Sequence, residues 1–161
     1  MSDPAPLVAA LAEPNPLEGA CRALRQLAND LLDLKQFTMM TFDHDRGVAQ
    51  RIFSDDPGPY PMGGEKPILA NAWTKTVLEG HGTFVGNSIE DLAEVFPDWE
   101  VIRSLGLESC LNLPIVIDAQ VVGTLNCLNG AGHFTPERVQ AAEELKLPGA
   151  AAFLLAARAK Q

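Results

Sequence analysis

Polar side chains interrupt the most strongly β-forming stretch of the chain. The segments 109–118 and 120–129, joined by Asp118-Ala119, are rich in apolar and β-branched residues and predict a β-hairpin. Because side chains alternate between the two faces of a strand, one face of this hairpin is purely apolar and suits packing against helices. The opposite face carries Cys110, Asn112, Pro114, Thr124, Asn126 and Leu128.

The two asparagines on that face are the most informative residues of the sequence. A buried amide without a hydrogen-bond partner costs about 1–3 kcal/mol, so two amides in the middle of a sheet need partners. A wet cavity or a bound ligand would supply them, and so would hydrogen bonds between the amides or to loop backbone. Of these alternatives we expect a cavity that holds water or a ligand. The predicted ligand-binding residues of the hairpin are Asn112, Asn126, Thr124, Cys110 and Leu128.

Four further side chains are candidates for the same binding site. Arg51 lies in the middle of a predicted strand and alternates with Ala49 and Phe53, so it either faces the cavity as an anion clamp or is solvated at a sheet edge. Tyr60, the single tyrosine, lies in a Pro-Gly loop and either closes over a ligand or holds the loop in place. Trp73 lies on the apolar face of a predicted helix, where it either packs in the core or forms part of the pocket roof. The same two alternatives apply to Trp99.

The sequence gives little support for a catalytic site or a metal site. His44, His81 and His133 are far apart and lie in predicted turns, so we expect no metal site. Phosphate-binding glycine loops, nucleophile elbows and zinc-protease motifs are absent, and we assign no catalytic residue and no cofactor. Cys21 and Cys127 fall on apolar faces and predict core packing. Cys110 alone faces the predicted site, which leaves a thiol enzyme as one alternative.

Composition limits the class of the protein and its partners. A chain of 161 residues with 47% hydrophobic and 20% charged residues predicts one globular domain. Twelve Lys and Arg against 21 Asp and Glu give a net charge of −9, which argues against nucleic-acid and anionic-membrane surfaces. Three cysteines allow no disulfide scaffold. Without a signal peptide or an apolar run near the ~18 residues of a membrane span, we expect a cytoplasmic protein.

Local patterns predict the elements that position these residues. Residues 1–14 contain three prolines and predict a loose N-terminal arm, and residues 15–161 predict a single domain. Asn15 is the expected cap of the first helix, with Pro16 at its first position. The remaining predicted elements are a hairpin over 37–43 and 48–54, a long loop over 55–64, a helix over 66–79, a strand over 82–86, two short helices that begin after Ser88 and Asp98, and a last helix that is capped by Thr135 and broken at 147–149.

This order predicts an α+β fold. Strands that are mostly adjacent in sequence favour an antiparallel sheet of five to six strands. The terminal helices would cover one face of the sheet. The mid-chain helices and loops would roof a pocket on the other face.

The end of the chain resembles the signature of GAF domains. That signature is a Ser before an apolar strand that ends in Pro, then a strand centred on Val-Gly, then Phe-Thr at the start of a helix. The matching residues here are Ser109 to Ile115, Val121 to Asn129, and Phe134-Thr135-Pro136-Glu137. The element order from about residue 17 to 158 also matches. The resemblance implies a sheet with a pocket on one face and a homodimer made by the terminal helices.

Particular branches of that family fit less well. The free methionine-(R)-sulfoxide reductases are similar in size, but their reactive cysteine lies just upstream of the residue matching Ser109, where residues 99–108 contain no cysteine. Cyclic-nucleotide GAF domains carry an Asn-Lys and an acidic pair, where this chain has Asn129-Gly130 and Arg138-Val139. No cysteine is placed for a covalent bilin.

The sequence therefore predicts a stand-alone, non-catalytic sensor or regulatory domain that binds an unidentified small molecule. The first alternative is a thiol-dependent enzyme resembling the sulfoxide reductase. The second is a dimeric interaction module with a vestigial pocket, in which residues of the first helix such as Leu24 would hold the dimer together.

Overall fold

One six-stranded antiparallel sheet organises the chain, which the computed structural model describes over residues 2–160. The strands are β1 (Gln36–Asp43), β2 (Val48–Ser54), β3 (Glu65–Pro67), β4 (Phe84–Gly86), β5 (Ser109–Ile117) and β6 (Gln120–Asn129). The helices are α1 (Ala5–Ala12), α2 (Leu17–Leu32), α3 (Ala72–Thr74), α4 (Ile89–Val95), α5 (Trp99–Ser104), α6 (Pro136–Ala142) and α7 (Lys146–Ala159). Met1 and Gln161, the outer ends of the predicted arm and domain, lie outside the described residues.

The strand order is β3-β2-β1-β6-β5-β4, and every neighbouring pair is antiparallel. The predicted α+β class and the six-stranded sheet are therefore confirmed. In the β5–β6 hairpin Asp118 and Ala119 both have left-handed backbone, with φ of 52° and 60°. Two consecutive positive φ angles are what the tight two-residue hairpin turn requires.

The helices α2, α6 and α7 cover one face of the sheet. The apolar faces of the last hairpin and of α2 meet there, as predicted, and form the main core together with Phe37, Met39, Phe53, Leu145, Ala152 and Phe153. A Cβ at Gly123 would lie 2.2 Å from the Phe153 ring, so the glycine of the Val-Gly signature leaves room for this side chain of α7. Leu24 is fully buried in this core, which corrects its expected place in a dimer contact.

The N-terminal segment is ordered differently from the prediction. Residues 5–12 form helix α1 instead of a loose arm, and its Leu7 is buried. The prolines mark helix ends: Pro4 precedes α1 and Pro6 lies in its first turn, where a missing N–H costs no hydrogen bond. Asn15 has φ of 51° and does not cap α2, which begins after Pro16.

The predicted helix over 66–79 is the largest error of the sequence analysis. Residues 65–67 instead form β3 and pair with β2, and the chain becomes helical only after Asn71, whose side chain accepts from the Thr74 N–H at 3.1 Å. Residues 75–79 continue α3 as a π-helical turn. The predicted break at 147–149 is also displaced. A 3₁₀ turn over 143–145 separates α6 from α7, and Pro148 is accommodated in the first turn of α7.

Within residues 2–160, none of the helices combines the length and the hydrophobicity that crossing a lipid bilayer requires.

Candidate ligand-binding pocket

A cavity of about 160 Å³ lies on the sheet face opposite the helical layer. Strands β1, β2, β5 and β6 form its floor, and the segments 66–74 and 95–98 contribute its walls. An apolar protein cavity of about 150 Å³ accommodates a benzene-sized molecule. The cavity therefore suits a ligand with about one ring or a short branched chain.

Eight of the nine predicted ligand-binding residues line this one cavity. They are Asn112, Asn126, Thr124, Cys110, Leu128, Arg51, Tyr60 and Trp73. Trp99 lies outside the lining, contrary to the prediction, because the buried residue of α5 that reaches the cavity is Ile102. That the eight residues bind a ligand stays a prediction.

The two predicted asparagines form part of a hydrogen-bonded row across the floor. Asn112 Nδ2 donates to Asn126 Oδ1 at 2.8 Å, and Asn126 Nδ2 donates to Thr38 Oγ1 at 3.2 Å. At the wall, the Trp73 indole N–H donates to Asn112 Oδ1 at 2.8 Å. We call these four residues the amide row. Both alternatives of the sequence analysis therefore occur together: the amides line a cavity and they bind each other.

Strand pairing explains why this row is straight. Asn112 lies opposite Asn126 on the neighbouring strand, and Asn126 lies opposite Thr38 on the next. Directly opposed side chains in an antiparallel sheet are about 5 Å apart at their Cβ atoms, which is within reach of short amides and hydroxyls. The row gives the cavity a fixed polar floor and holds Trp73 in its wall.

Arg51 faces the cavity by regular alternation with Ala49, and a β-bulge follows it in the strand. Met39 pairs with Phe53 but Met40 pairs with Arg51, so Ile52 is an extra residue in β2. The extra residue sends Phe53 to the helix-side core, where its ring lies 6.1 Å from that of Phe37. The expected alternation therefore holds for Ala49 and Arg51 and is wrong for Phe53. Bulges of this kind commonly redirect a side chain next to a binding site.

The guanidinium of Arg51 is buried without a counter-ion. Its exposed fraction is 6%, and within residues 2–160 no carboxylate oxygen lies within 4.0 Å of it. One nitrogen, Nη1, donates to the Pro61 carbonyl at 3.1 Å, and the guanidinium carbon lies 5.1 Å from the centre of the Tyr60 ring. Burial lowers the pKa of Arg51, while Tyr60 and Asp98 act in the opposite direction. An arginine remains protonated at neutral pH despite such a shift.

Three buried polar atoms of the cavity lining have no hydrogen-bond partner within residues 2–160. They are Arg51 Nε, Tyr60 Oη and Thr124 Oγ1, and we call them the orphan atoms. Burial, with Asp98 nearby, raises the pKa of Tyr60 to about 12, so its hydroxyl keeps its proton at neutral pH. Each unsatisfied buried polar group costs about 1–3 kcal/mol. Three of them belong to residues that line one cavity.

Two threonines on neighbouring strands allow a test of this cost. Thr124→Val removes an orphan hydroxyl and should raise the free energy of unfolding of the ligand-free protein by about 1 kcal/mol. Thr38→Val removes the acceptor of Asn126 and should lower it by a similar amount. Urea unfolding of both variants measures the difference. Equal effects of the same sign would mean that the Thr124 hydroxyl is already satisfied.

Cys110 lines the cavity but lacks the properties of a reactive thiol. It is almost fully buried, and desolvation raises its pKa to about 12. Its Sγ lies 3.7 Å from Asn112 Oδ1. A catalytic cysteine needs a lowered pKa, because the thiolate is the nucleophile.

Several residues of the lining were not predicted from the sequence. Thr38, Met40 and Phe42 occupy alternate positions of β1 and face the cavity. Pairing of β1 with the last hairpin would have identified them, since cross-strand neighbours share a face. Lys66 and Asp98 also line the cavity and form an ion pair at 3.2 Å. Nothing in the sequence relates two residues so far apart.

Comparison with known proteins decides the family. The family model described as "GAF domain" matches residues 16–145, most of the chain. The chain belongs to the GAF domain family. This family match confirms the resemblance of the last hairpin to the GAF signature. The comparison with curated proteins found no significant match.

Solved structures show the same fold. The GAF domain of a two-component sensor histidine kinase from Bacillus halodurans superimposes with a TM-score of 0.73 at 16% identity, covering 90% of this chain and 98% of that one. The GAF domain of a phosphoenolpyruvate-protein phosphotransferase from Coxiella burnetii superimposes with a TM-score of 0.68 at 19% identity. The match covers 99% of this chain and 98% of that one. The chromophore-binding domain of a bacteriophytochrome from R. palustris superimposes with a TM-score of 0.61 at 17% identity. The match covers 93% of this chain and 59% of that one. These likenesses establish the GAF fold of this chain.

Proposed function

We propose that this GAF domain is a non-catalytic sensor or regulatory domain that binds a small molecule in the cavity above the amide row. The observation that carries the proposal is the set of three orphan atoms around a cavity of about 160 Å³. A protein gains stability by satisfying or removing such groups. Their presence beside a ring-sized space is expected where a ligand completes the hydrogen bonding.

A thiol enzyme fits the site less well. The one cavity-lining thiol has a raised pKa and is almost fully buried, so it is protonated and inaccessible at neutral pH. Within residues 2–160, no group of three His, Cys, Asp or Glu side chains is placed to hold a metal ion. All three cysteines are free thiols, which supports a cytoplasmic location as part of the proposal.

The homodimer through the terminal helices stays a prediction. The α2 residues expected to form it, Leu24 among them, lie in the core under the sheet. The large apolar residues of the terminal helices that remain exposed are Val8 on α1 and Leu147 and Leu154 on α7, so these would have to carry such a contact.

Native mass spectrometry of the chain purified from its own cells tests the proposed function. We expect a small-molecule mass increment on the folded chain that disappears on denaturation. The matched control is Ala49→Phe, which places a ring in the cavity from a buried lining position. The increment should be absent from this variant. A bare wild-type chain, or an increment of equal size on Ala49→Phe, would contradict binding in the cavity.

A further inference from the structure

We propose that the ligand is a small monocarboxylate with a compact apolar body, and that Arg51 binds its carboxylate. This inference rests on the proposed function and specifies its ligand class. It starts from the charge of the cavity. The protein as a whole carries −9, yet its cavity is lined by two cations, Arg51 and Lys66, against one carboxylate, Asp98.

The three charges of the lining are not equivalent. Lys66 and Asp98 neutralise each other across 3.2 Å, and both are partly exposed. Arg51 is the buried charge, and among the described residues it has no carboxylate partner. Burying an unpaired charge is costly unless a partner arrives. A ligand carboxylate is the complementary group, since two of its oxygens match the donors of a guanidinium fork.

The number of charges favours one negative charge on the ligand. A phosphate carries up to two negative charges at neutral pH, whereas the cavity offers one uncompensated cation. Lys66 is already paired with Asp98, so the lining offers no second free cation for another negative charge. A monocarboxylate satisfies Arg51 with the single charge that it carries.

The rest of the lining favours an apolar body. Met40, Phe42, Leu69, Val95, Phe96 and Ile102 contribute to the walls and floor. An apolar wall rewards a hydrocarbon ligand through burial of its surface, and the volume limits that body to about one ring or a short branched chain.

The neighbours of Arg51 in the lining fit the same ligand. Tyr60 stacks under the Arg51 guanidinium, so its hydroxyl belongs to the same part of the lining. Thr124 lies in the same cross-strand row as Arg51, with Met40 between them. Two strand spacings, about 10 Å, separate their backbones. A ligand whose carboxylate binds the guanidinium can therefore extend its apolar body over Met40.

Paired probes separate charge from shape. Benzoate and benzamide have almost the same shape, but only benzoate is anionic, and isobutyrate with isobutyramide forms an aliphatic pair. Binding is followed by the indole N–H resonance of Trp73, which donates to Asn112 at the cavity. We expect at least one carboxylate to shift this resonance at millimolar concentration, and its amide to shift it much less. Inorganic phosphate should have no effect.

Variants at Arg51 identify the charge. Arg51→Met should weaken carboxylate binding about 10- to 100-fold, the range for loss of a hydrogen-bonded charge. Arg51→Lys, which keeps the charge but loses the fork, should weaken it less. Arg103→Met removes an exposed arginine outside the lining and should leave binding unchanged. Melting curves of each variant check that it is folded, and we expect Arg51→Met to be as stable as the wild type.

Other outcomes overturn the inference in different ways. If the amides bind as well as the carboxylates, or if Arg51→Met binds normally, the ligand class is wrong but the cavity still binds small molecules. If phosphate binds in place of the carboxylates, the anion class is wrong. If no probe shifts Trp73, the monocarboxylate inference fails, while the mass increment described above still decides the proposed function.

Discussion

Asn112→Leu should lower the free energy of unfolding by about 3 kcal/mol, because it breaks the amide row at its centre. The substitution leaves the buried Asn126 carbonyl oxygen and the partly buried Trp73 indole N–H without their partner. Trp73 should then lose its fixed orientation in the cavity wall. Urea unfolding measures the first effect, and the width of the Trp73 indole resonance measures the second.

A double-mutant cycle distinguishes the amide row from ordinary core packing. In Asn112→Leu the Asn126 amide loses a partner, whereas in the Asn112→Leu/Asn126→Leu double variant both members of the pair are replaced. The cost of the double variant should therefore be clearly smaller than the sum of the two single costs. Additive costs would mean that the two amides do not depend on each other.

The free energy of unfolding should also fall steeply above about pH 8.5, where a free thiol titrates. Burial raises the pKa of Cys21 to about 11 and that of Cys110 to about 12, and it raises the pKa of Cys127 further. The unfolded chain then releases protons that the folded chain retains. The stabilisation is thus complete below the unfolded pKa and is lost as the pH rises toward the folded values.

The size of this effect follows from the number of thiols. One titrating group contributes about 1.4 kcal/mol per pH unit, so three thiols give a slope of roughly 4 kcal/mol per pH unit. Tyr60, with its pKa raised to about 12, adds to the slope above about pH 10. Urea unfolding across this pH range measures the slope, and Cys110→Ala should reduce it by about one third.

The alkaline slope also bears on the thiol-enzyme alternative. If Cys110 were a nucleophile with a lowered pKa, Cys110→Ala would not reduce the slope, and folded protein would react rapidly with thiol reagents near neutral pH. The buried environment predicts slow reaction, limited by unfolding or local opening of the chain.

The faces of the last hairpin were predictable because strand alternation is strict. Leu111 and Asn112 lie on opposite faces whatever surrounds them, so a cavity-facing polar side could be inferred from spacing alone. The cavity-facing position of Arg51 follows from its regular alternation with Ala49, so it too could be predicted from spacing. The position of Phe53 could not, because it depends on the bulge at Ile52, which appears only in the pairing of β2 with β1.

Other features depend on tertiary structure that local patterns do not contain. The segment 65–67 has helix-compatible neighbours, but pairing with the exposed edge of β2 makes it a strand. The orphan atoms are equally invisible in the sequence. Tyr60 and Thr124 are unremarkable residue types, and only the packed chain shows that their hydroxyls are buried without partners among residues 2–160.

The central claim, that the cavity binds a small molecule, is tested most directly by adding the small-molecule fraction of an extract of the protein's own cells to isotope-labelled protein. The chain has two tryptophans, of which Trp73 lines the cavity and Trp99 lies outside it. We predict that the indole N–H resonance of Trp73 shifts, that of Trp99 stays in place, and neither moves in Ala49→Phe. An unchanged Trp73 resonance, or a shift that persists when the cavity is filled, would contradict the account.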